Sequence, residues 1–198
     1  MSVFVLKQVI DYYTNLGSPM YICYLDASKA FDKVNHWYLF SELIDRNMPM
    51  IIIRLLVVWY RNQTFLLQWG DHLSSRFSVS NGVRQGGILS PYLFNVYMND
   101  LSVRLSRAGT GCNVNGVWLN HLFYADDAVV LSPSPHALQC LLDICASFGN
   151  ECELSYNVKK TFCLCIKPKA LKSLTVPPIR LNGNILNMVS EHKYLGVF

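Results

Sequence analysis

The chain has 198 residues, enough for one domain or little more, and 52% hydrophobic against 15% charged residues supports a real core and excludes a disordered tail. The most apolar stretch, residues 50–60, is interrupted by Arg54 and too short to span a bilayer, and no signal peptide precedes it. A net charge of +4 fits a nucleic-acid partner without demanding one, and seven cysteines with no Cys-x-x-Cys pair read as small buried hydrophobes of a reducing, intracellular compartment.

Val3, Leu6, Val9, Ile10 and Tyr13 recur at helical spacing and predict a helix over 2–16, stopped by Gly17-Ser18-Pro19. Met20 to Asp26 is an apolar strand that delivers one carboxylate at its end. Residues 36–47 and 49–61 predict two helices split at Met48-Pro49. Thr64 to Trp69 and Phe77 to Ser80 read as strands of a hairpin around Gly70-Asp71-His72. Gly82 to Pro91 is rich in glycine, which lets backbone approach a ligand closely, and Ser90-Pro91 opens a helix to about Arg107. Gly111 to Trp118 is expected to be one strand, and Asn120 to Tyr124 another that leads into an Asp126-Asp127 turn. Pro133 to Phe148 predicts a helix and Phe162 to Ile166 a strand. A linker over 167–178 follows, then a hairpin over 179–186 turned at Asn182-Gly183, and a last strand over 193–197.

The chemistry concentrates in Phe123-Tyr124-Ala125-Asp126-Asp127-Ala128-Val129-Val130-Leu131, where two adjacent carboxylates lie between strand-like runs. A buried carboxylate without a partner costs several kcal/mol, and no basic residue lies within the run. A solvated turn is one resolution; a divalent cation with hard oxygen ligands, most naturally magnesium, is the other. Asp26 is a third acid of the same kind. If the two strands are neighbours, Asp26, Asp126 and Asp127 surround one pocket. They would then form a ligand set for two metal ions about 3.5–4 Å apart, clamping both oxygens of an in-line phosphoryl transfer.

The residues Leu25-Asp26-Ala27-Ser28-Lys29-Ala30-Phe31-Asp32-Lys33-Val34-Asn35-His36 and Asn81-Gly82-Val83-Arg84-Gln85-Gly86-Gly87-Ile88-Leu89-Ser90-Pro91 carry a resemblance. So do Tyr124-Ala125-Asp126-Asp127, residues Asn157 to Thr161, and Tyr194-Leu195-Gly196-Val197. In order and spacing, over nearly the whole chain, they resemble reverse transcriptases of non-LTR retrotransposons. The resemblance implies an α/β fold of the α+β type: a polymerase palm with a mainly antiparallel sheet and helices packed on one face. It also implies RNA-directed addition of deoxynucleotides to the 3′-hydroxyl of a DNA primer. Asp26, Asp126 and Asp127 would hold two Mg2+ ions, Mn2+ being a possible substitute, and the backbone after Asp26, at Ala27, would assist. Phe31 would lie under the sugar of the incoming nucleotide and exclude a 2′-hydroxyl. Gln85 and Gly86 would meet the nucleotide, and Arg84 would reach a phosphate or an acidic neighbour. Lys160, with Lys159 as fallback, would protonate the leaving pyrophosphate. Tyr194, Leu195 and Gly196 would grip the primer. Asp32 is not assigned to metal.

The expected organisation is a palm with residual fingers elements over 1–178 and a primer-grip hairpin region over 179–198. The fingers and thumb of a longer polyprotein are expected to be largely absent. A non-catalytic nucleic-acid-binding scaffold, or a decayed remnant that reuses the palm, is the rival. Such a module has no reason to keep all three acids, Phe31 and the Gln85-Gly86 pair together. A palm that makes cyclic nucleotides would share the acids but lack the 84–87 and 194–196 stretches.

Overall fold

The computed structural model describes residues 2–195. In chain order it contains α1 (Ser2–Asn15), β1 (Met20–Asp26), a 3-10 turn (Phe31–Lys33), α2 (His36–Asp45), α3 (Met50–Arg61), β2 (Thr64–Phe65), β3 (Gln68–Trp69), β4 (His72–Leu73), β5 (Phe77–Ser78) and α4 (Ser90–Arg107). Then follow β6 (Asn113–Val114), β7 (Val117–Trp118), β8 (His121–Tyr124), β9 (Asp127–Ser132), α5 (Pro135–Glu151), β10 (Phe162–Ile166), β11 (Arg180–Leu181), β12 (Asn184–Ile185) and β13 (Asn187–Val189). The chain forms two compact units: residues up to Ser28 with those from Asn99 onward, and Lys29–Met98.

The first unit is built on a five-stranded sheet in the order β13-β10-β1-β9-β8, antiparallel except for the β10–β13 pair. In the central strand β1 every residue but Asp26 is buried, which requires cover on both faces of the sheet. Met20, Ile22 and Tyr24 pack with Leu6 and Val9 of α1 and with Val129 and Leu131 of β9. On the opposite face, Cys23 neighbours Cys145 of α5, and α5 runs along β9 and β1. The palm class therefore holds, while its helices lie on two faces rather than one. Each large side chain buried this way stabilises the unit by roughly 1.5–3 kcal/mol.

Four expectations change in detail. Gly111 to Trp118 is not one strand. The two-residue Asn115-Gly116 turn folds it into the β6–β7 hairpin, an Asn-Gly signal outweighed in the sequence by the β-branched residues around it. Thr64 to Trp69 breaks into β2 and β3; the ladder is re-knit by Ser74, whose N–H donates to the Leu67 carbonyl (2.9 Å) and whose Oγ accepts from the Leu67 N–H (3.0 Å). The helix expected from Pro133 starts at Pro135 behind Ser134. The sheet's fifth strand is β13, parallel to β10, over residues where no strand was expected; of the last strand expected over 193–197, Tyr194 forms a β-bridge, and Gly196 and Val197 lie outside the described residues. No disulfide joins the described cysteines, and no helix among the described residues is long and apolar enough to cross a membrane.

In the second unit α2 and α3 bury Leu39, Phe40 and Leu43 of one and Ile53, Leu56 and Tyr60 of the other. Asn35 caps α2, its side chain accepting from the N–H groups of Trp37 (2.9 Å) and Tyr38 (3.1 Å). The segment after Asp26 is then tied to the glycine-rich stretch. The Gly82 N–H donates to the Val34 carbonyl (2.8 Å), Val83 N–H to the Phe31 carbonyl (2.7 Å), and His36 Nε2 to the Gly82 carbonyl (2.7 Å). A Cβ at Gly82 would stand 2.6 Å from the Asp32 carbonyl oxygen, so only glycine fits.

Candidate active site

Asp26 is the last residue of β1 and Asp127 the first of β9, and the two are direct partners in the antiparallel register. Residues paired this way hold their Cβ atoms about 4.5–5.5 Å apart. Tyr124 pairs with the same Asp127 from β8, so the hairpin turn consists of Ala125 and Asp126 rather than of the two acids. Ala125 has φ +53°, a left-handed conformation that costs a non-glycine residue about 1–2 kcal/mol and is held by the strands on either side. Acids a hundred positions apart thus meet at one rim of the sheet. Asp127 is exposed there, yet its carboxyl is pushed above the usual carboxylate range. Desolvation is the main cause, then the charges of Asp126 and Asp26, with His192 opposing.

The stretch from Asn157 to Thr161 explains how Asp26 is held. The Asn157 N–H donates to the Asp26 carbonyl (2.8 Å), and Ser28 N–H donates to the Ser155 carbonyl (2.9 Å). These bonds flank the Ala27–Tyr156 bridge and leave the Ala27 carbonyl out of it. The Asn157 side chain accepts from the Lys159 N–H (3.1 Å), and its carbonyl accepts from Lys160 (3.0 Å) and Thr161 (2.8 Å). This tight turn delivers the fully buried Thr161, whose Oγ1 accepts from the Asp26 N–H at 3.2 Å. Lys160 stands between these anchors and, with Asp26 and Asp127, lines a cavity of about 120 Å³.

The same cavity is walled by Tyr24, Phe162, His192 and Tyr194. The His192 ring lies 4.6 Å from that of Tyr24 and 4.2 Å from that of Phe162, and burial lowers its pKa while Asp127 works against that. Sequence reasoning missed His192; its only signal was its place two residues before Tyr194. Tyr194 is buried against Tyr24, and its hydroxyl has no hydrogen-bond partner among the described residues. Burial first, then Asp127, push that hydroxyl up to about 12. Leu195 is exposed, and Gly196 lies outside the described residues.

In the second unit Phe31 stacks on Phe94 with centroids 4.5 Å apart and 16° between planes. Gln85 Nε2 donates to the Asp32 carboxylate (3.1 Å), so Asp32 positions Gln85; it does not cap the 3-10 turn, which Ala30 precedes. The Arg84 guanidinium lies 5.8 Å from the Phe65 ring centroid, and its carbonyl accepts from the Gly87 N–H (2.9 Å) and the Ser90 hydroxyl. Gly86 has φ +78° with open space where a Cβ would stand. Two cavities of about 500 and 560 Å³ share Gln63, Arg84 and Gln85 in their walls.

Three carboxylates at one rim, two of which raise the proton affinity of Asp127, with hard oxygen donors only, suit a divalent cation. The backbone supplies the convergence; among the described residues no three His, Cys, Asp or Glu side chains are already gathered as a metal-ligand set.

The profile of the family described as reverse transcriptase (RNA-dependent DNA polymerase) matches residues 4–198. The chain is 31% identical over 183 residues to the retrovirus-related Pol polyprotein of the retrotransposable element R2DM of Drosophila melanogaster. That match covers 89% of this chain and 17% of the relative. It is 29% identical over 185 residues to the RNA-directed DNA polymerase of the mobile element jockey of Drosophila funebris, covering 88% and 19%. The chain thus spans under a fifth of these relatives. Among solved structures, apo telomerase from Candida tropicalis superposes with a TM-score of 0.61 at 14% identity, over 87% of this chain and 36% of that one, a likeness of fold. With the acids, the glycine-rich stretch and the Asn157–Thr161 turn all inside the matched span, the chain belongs to the reverse transcriptase family.

Proposed function

We propose that this chain is the palm portion of an RNA-directed DNA polymerase of a non-LTR retroelement. In this reading it adds deoxynucleotides from their triphosphates to a DNA primer on an RNA template. The observation that carries the proposal is the register pairing of Asp26 with Asp127, which sets two acids of the sequence pattern side by side at a solvent-facing rim with Asp126 on the adjoining turn. Asp26, Asp126 and Asp127, with the Ala27 carbonyl, would hold two divalent cations, magnesium by preference. When bound, such ions supply Lewis acidity: a lowered pKa for the primer 3′-hydroxyl and neutralisation of charge on the triphosphate. Thr161 and Asn157 fix the backbone of Asp26 so that its carboxylate is oriented before substrate arrives. Lys160, at the same cavity, is the group to hold the pyrophosphate and give it a proton. Tyr194, beside it, and Leu195 would bear on the primer end. In the second unit Phe31, Gln85, Gly86 and Arg84 would meet the nucleotide, Phe31 kept flat by Phe94 and Gln85 kept in place by Asp32.

The test is incorporation of a labelled deoxynucleotide on a primed RNA template with and without Mg2+. Incorporation that needs Mg2+ is expected, and Asp126→Asn should lower it by roughly 10²-fold or more, a loss of several kcal/mol of transition-state stabilisation. A folded polypeptide with the upstream segment restored that incorporates nothing, or an Asp126→Asn variant as active as the parent, would favour the non-catalytic scaffold.

A further inference from the structure

In the second unit the glycine-rich stretch is anchored at both ends, with the exposed side chains of Arg84 and Gln85 between them. Downstream, the Gly87 N–H and the Ser90 hydroxyl close onto the Arg84 carbonyl at the start of α4. Upstream, one peptide unit is gripped from two sides. Its N–H, on Val83, donates to the Phe31 carbonyl (2.7 Å), and its carbonyl, on Gly82, accepts from His36 Nε2 (2.7 Å). The two groups stand on opposite edges of one plane, so both bonds together stop the plane from rotating. Gly82, at φ +93°, is the natural swivel beside it. The other upstream ties run from backbone to backbone; this one comes from a side chain. His36 is itself fixed. It is the first residue of α2, behind the Asn35 cap, and its ring lies 4.7 Å from that of buried Tyr60 and 6.1 Å from that of buried Phe40. It lines the cavity of about 500 Å³ together with Arg84 and Gln85.

We infer that His36 is a positioning residue for the incoming nucleotide: by locking the Gly82–Val83 plane it holds the stretch in the orientation from which Arg84 and Gln85 reach into the cavity. The inference rests on the nucleotide-binding reading above and deepens it, since it adds a residue that acts through the backbone rather than on the substrate. Its effect is one of population. Without the donor the stretch visits the competent orientation only part of the time, and a competent fraction of about one tenth weakens nucleotide binding about tenfold. The donor is what counts, so a glutamine amide, which also carries N–H groups at Nε2, can stand in for the imidazole.

The experiment is steady-state incorporation on the primed RNA template by the polypeptide with the upstream segment restored, varying the deoxynucleoside triphosphate and the primed template in turn. His36→Phe keeps a ring beside Tyr60 and loses the donor. It should raise KM for the nucleotide about tenfold and leave KM for the primed template unchanged. His36→Gln should recover most of the loss. In a Gln85→Ala background the effect of His36→Phe should shrink, because a group being positioned is gone. His36→Leu takes the place of His36→Phe if far-ultraviolet circular dichroism shows that the larger ring disturbs folding. Independently of catalysis, amide hydrogen exchange at Val83 should quicken in the variant without a donor and slow again in His36→Gln. A parental nucleotide KM in that variant, a fall in kcat alone, or unchanged exchange at Val83 would overturn the inference. So would an effect undiminished in Gln85→Ala. Each of these leaves the proposed function standing, whereas a folded parent that incorporates nothing takes both down.

Discussion

At Asp127 one carboxyl is asked to carry a charge that its surroundings disfavour. Desolvation and two neighbouring acids raise its pKa, and no lysine or arginine is among the causes that shift it. Removing the Asp126 charge should therefore lower it: in Asp126→Asn, a carbon-13 titration of the Asp127 carboxyl should show an earlier midpoint than in the parent. Added Mg2+ should lower the parent's midpoint further and release protons, because a bound cation favours the charged form. A midpoint that moves with neither change would mean that the three acids do not share one field. His192 belongs to the same balance, since it opposes the shift, and Tyr194 to the other side of it, since Asp127 helps hold its hydroxyl neutral.

Among the elements, the turn at Asn157–Thr161 couples position in the sequence to position in space. Thr161→Val keeps the shape of the side chain and removes the oxygen that accepts from the Asp26 N–H. It should cost about 1–3 kcal/mol of stability and lower kcat more than it raises KM, because the loss falls on the orientation of Asp26 rather than on substrate contact. Thr161→Ser should restore both. Steady-state kinetics with a denaturant titration would check this, and a Thr161→Val enzyme with parental kcat would remove the turn from the site. This role shows where the sequence was legible and where it was not. The strands at 20–26, 121–124, 127–132 and 162–166 announce themselves through aromatic and β-branched runs, and the acids through their adjacency to those runs. Thr161 carries no such signal, because its work is done 135 positions away and depends on strands β1 and β10 pairing. The register that sets Asp26 against Asp127 is likewise a product of packing, as is β13, whose Asn187-Met188-Val189 looks like loop until it lies beside β10.

For the molecule as a whole, the polar knot behind the sheet sets its response to acid. Asn120 is fully buried and donates to the carbonyls of Leu105 (2.8 Å) and Thr110 (2.9 Å), joining the end of α4 to β8. Its side-chain oxygen accepts from His121 Nδ1 (2.8 Å), and His121 Nε2 lies 2.7 Å from the Ser102 hydroxyl. With Nδ1 donating to an amide oxygen, the neutral imidazole leaves Nε2 to accept from Ser102. Burial lowers the pKa of His121 to about 4 from an ordinary 6.5. The unfolded chain takes up this proton near 6.5 and the folded one not until about 4. The stability that His121 contributes is therefore whole above 6.5 and is lost as pH falls from 6.5 to 4. The slope from one such group is at most about 1.4 kcal/mol per pH unit. The raised carboxyl of Asp127 acts in the opposite direction, since the folded state binds its proton more tightly, so it offsets part of the loss at the acid end of this window. Chemical denaturation at pH 7, 6, 5 and 4 should show a fall in stability that flattens in His121→Asn, whose amide cannot be protonated in this range. Equal slopes in parent and variant would mean that acid acts elsewhere in the chain.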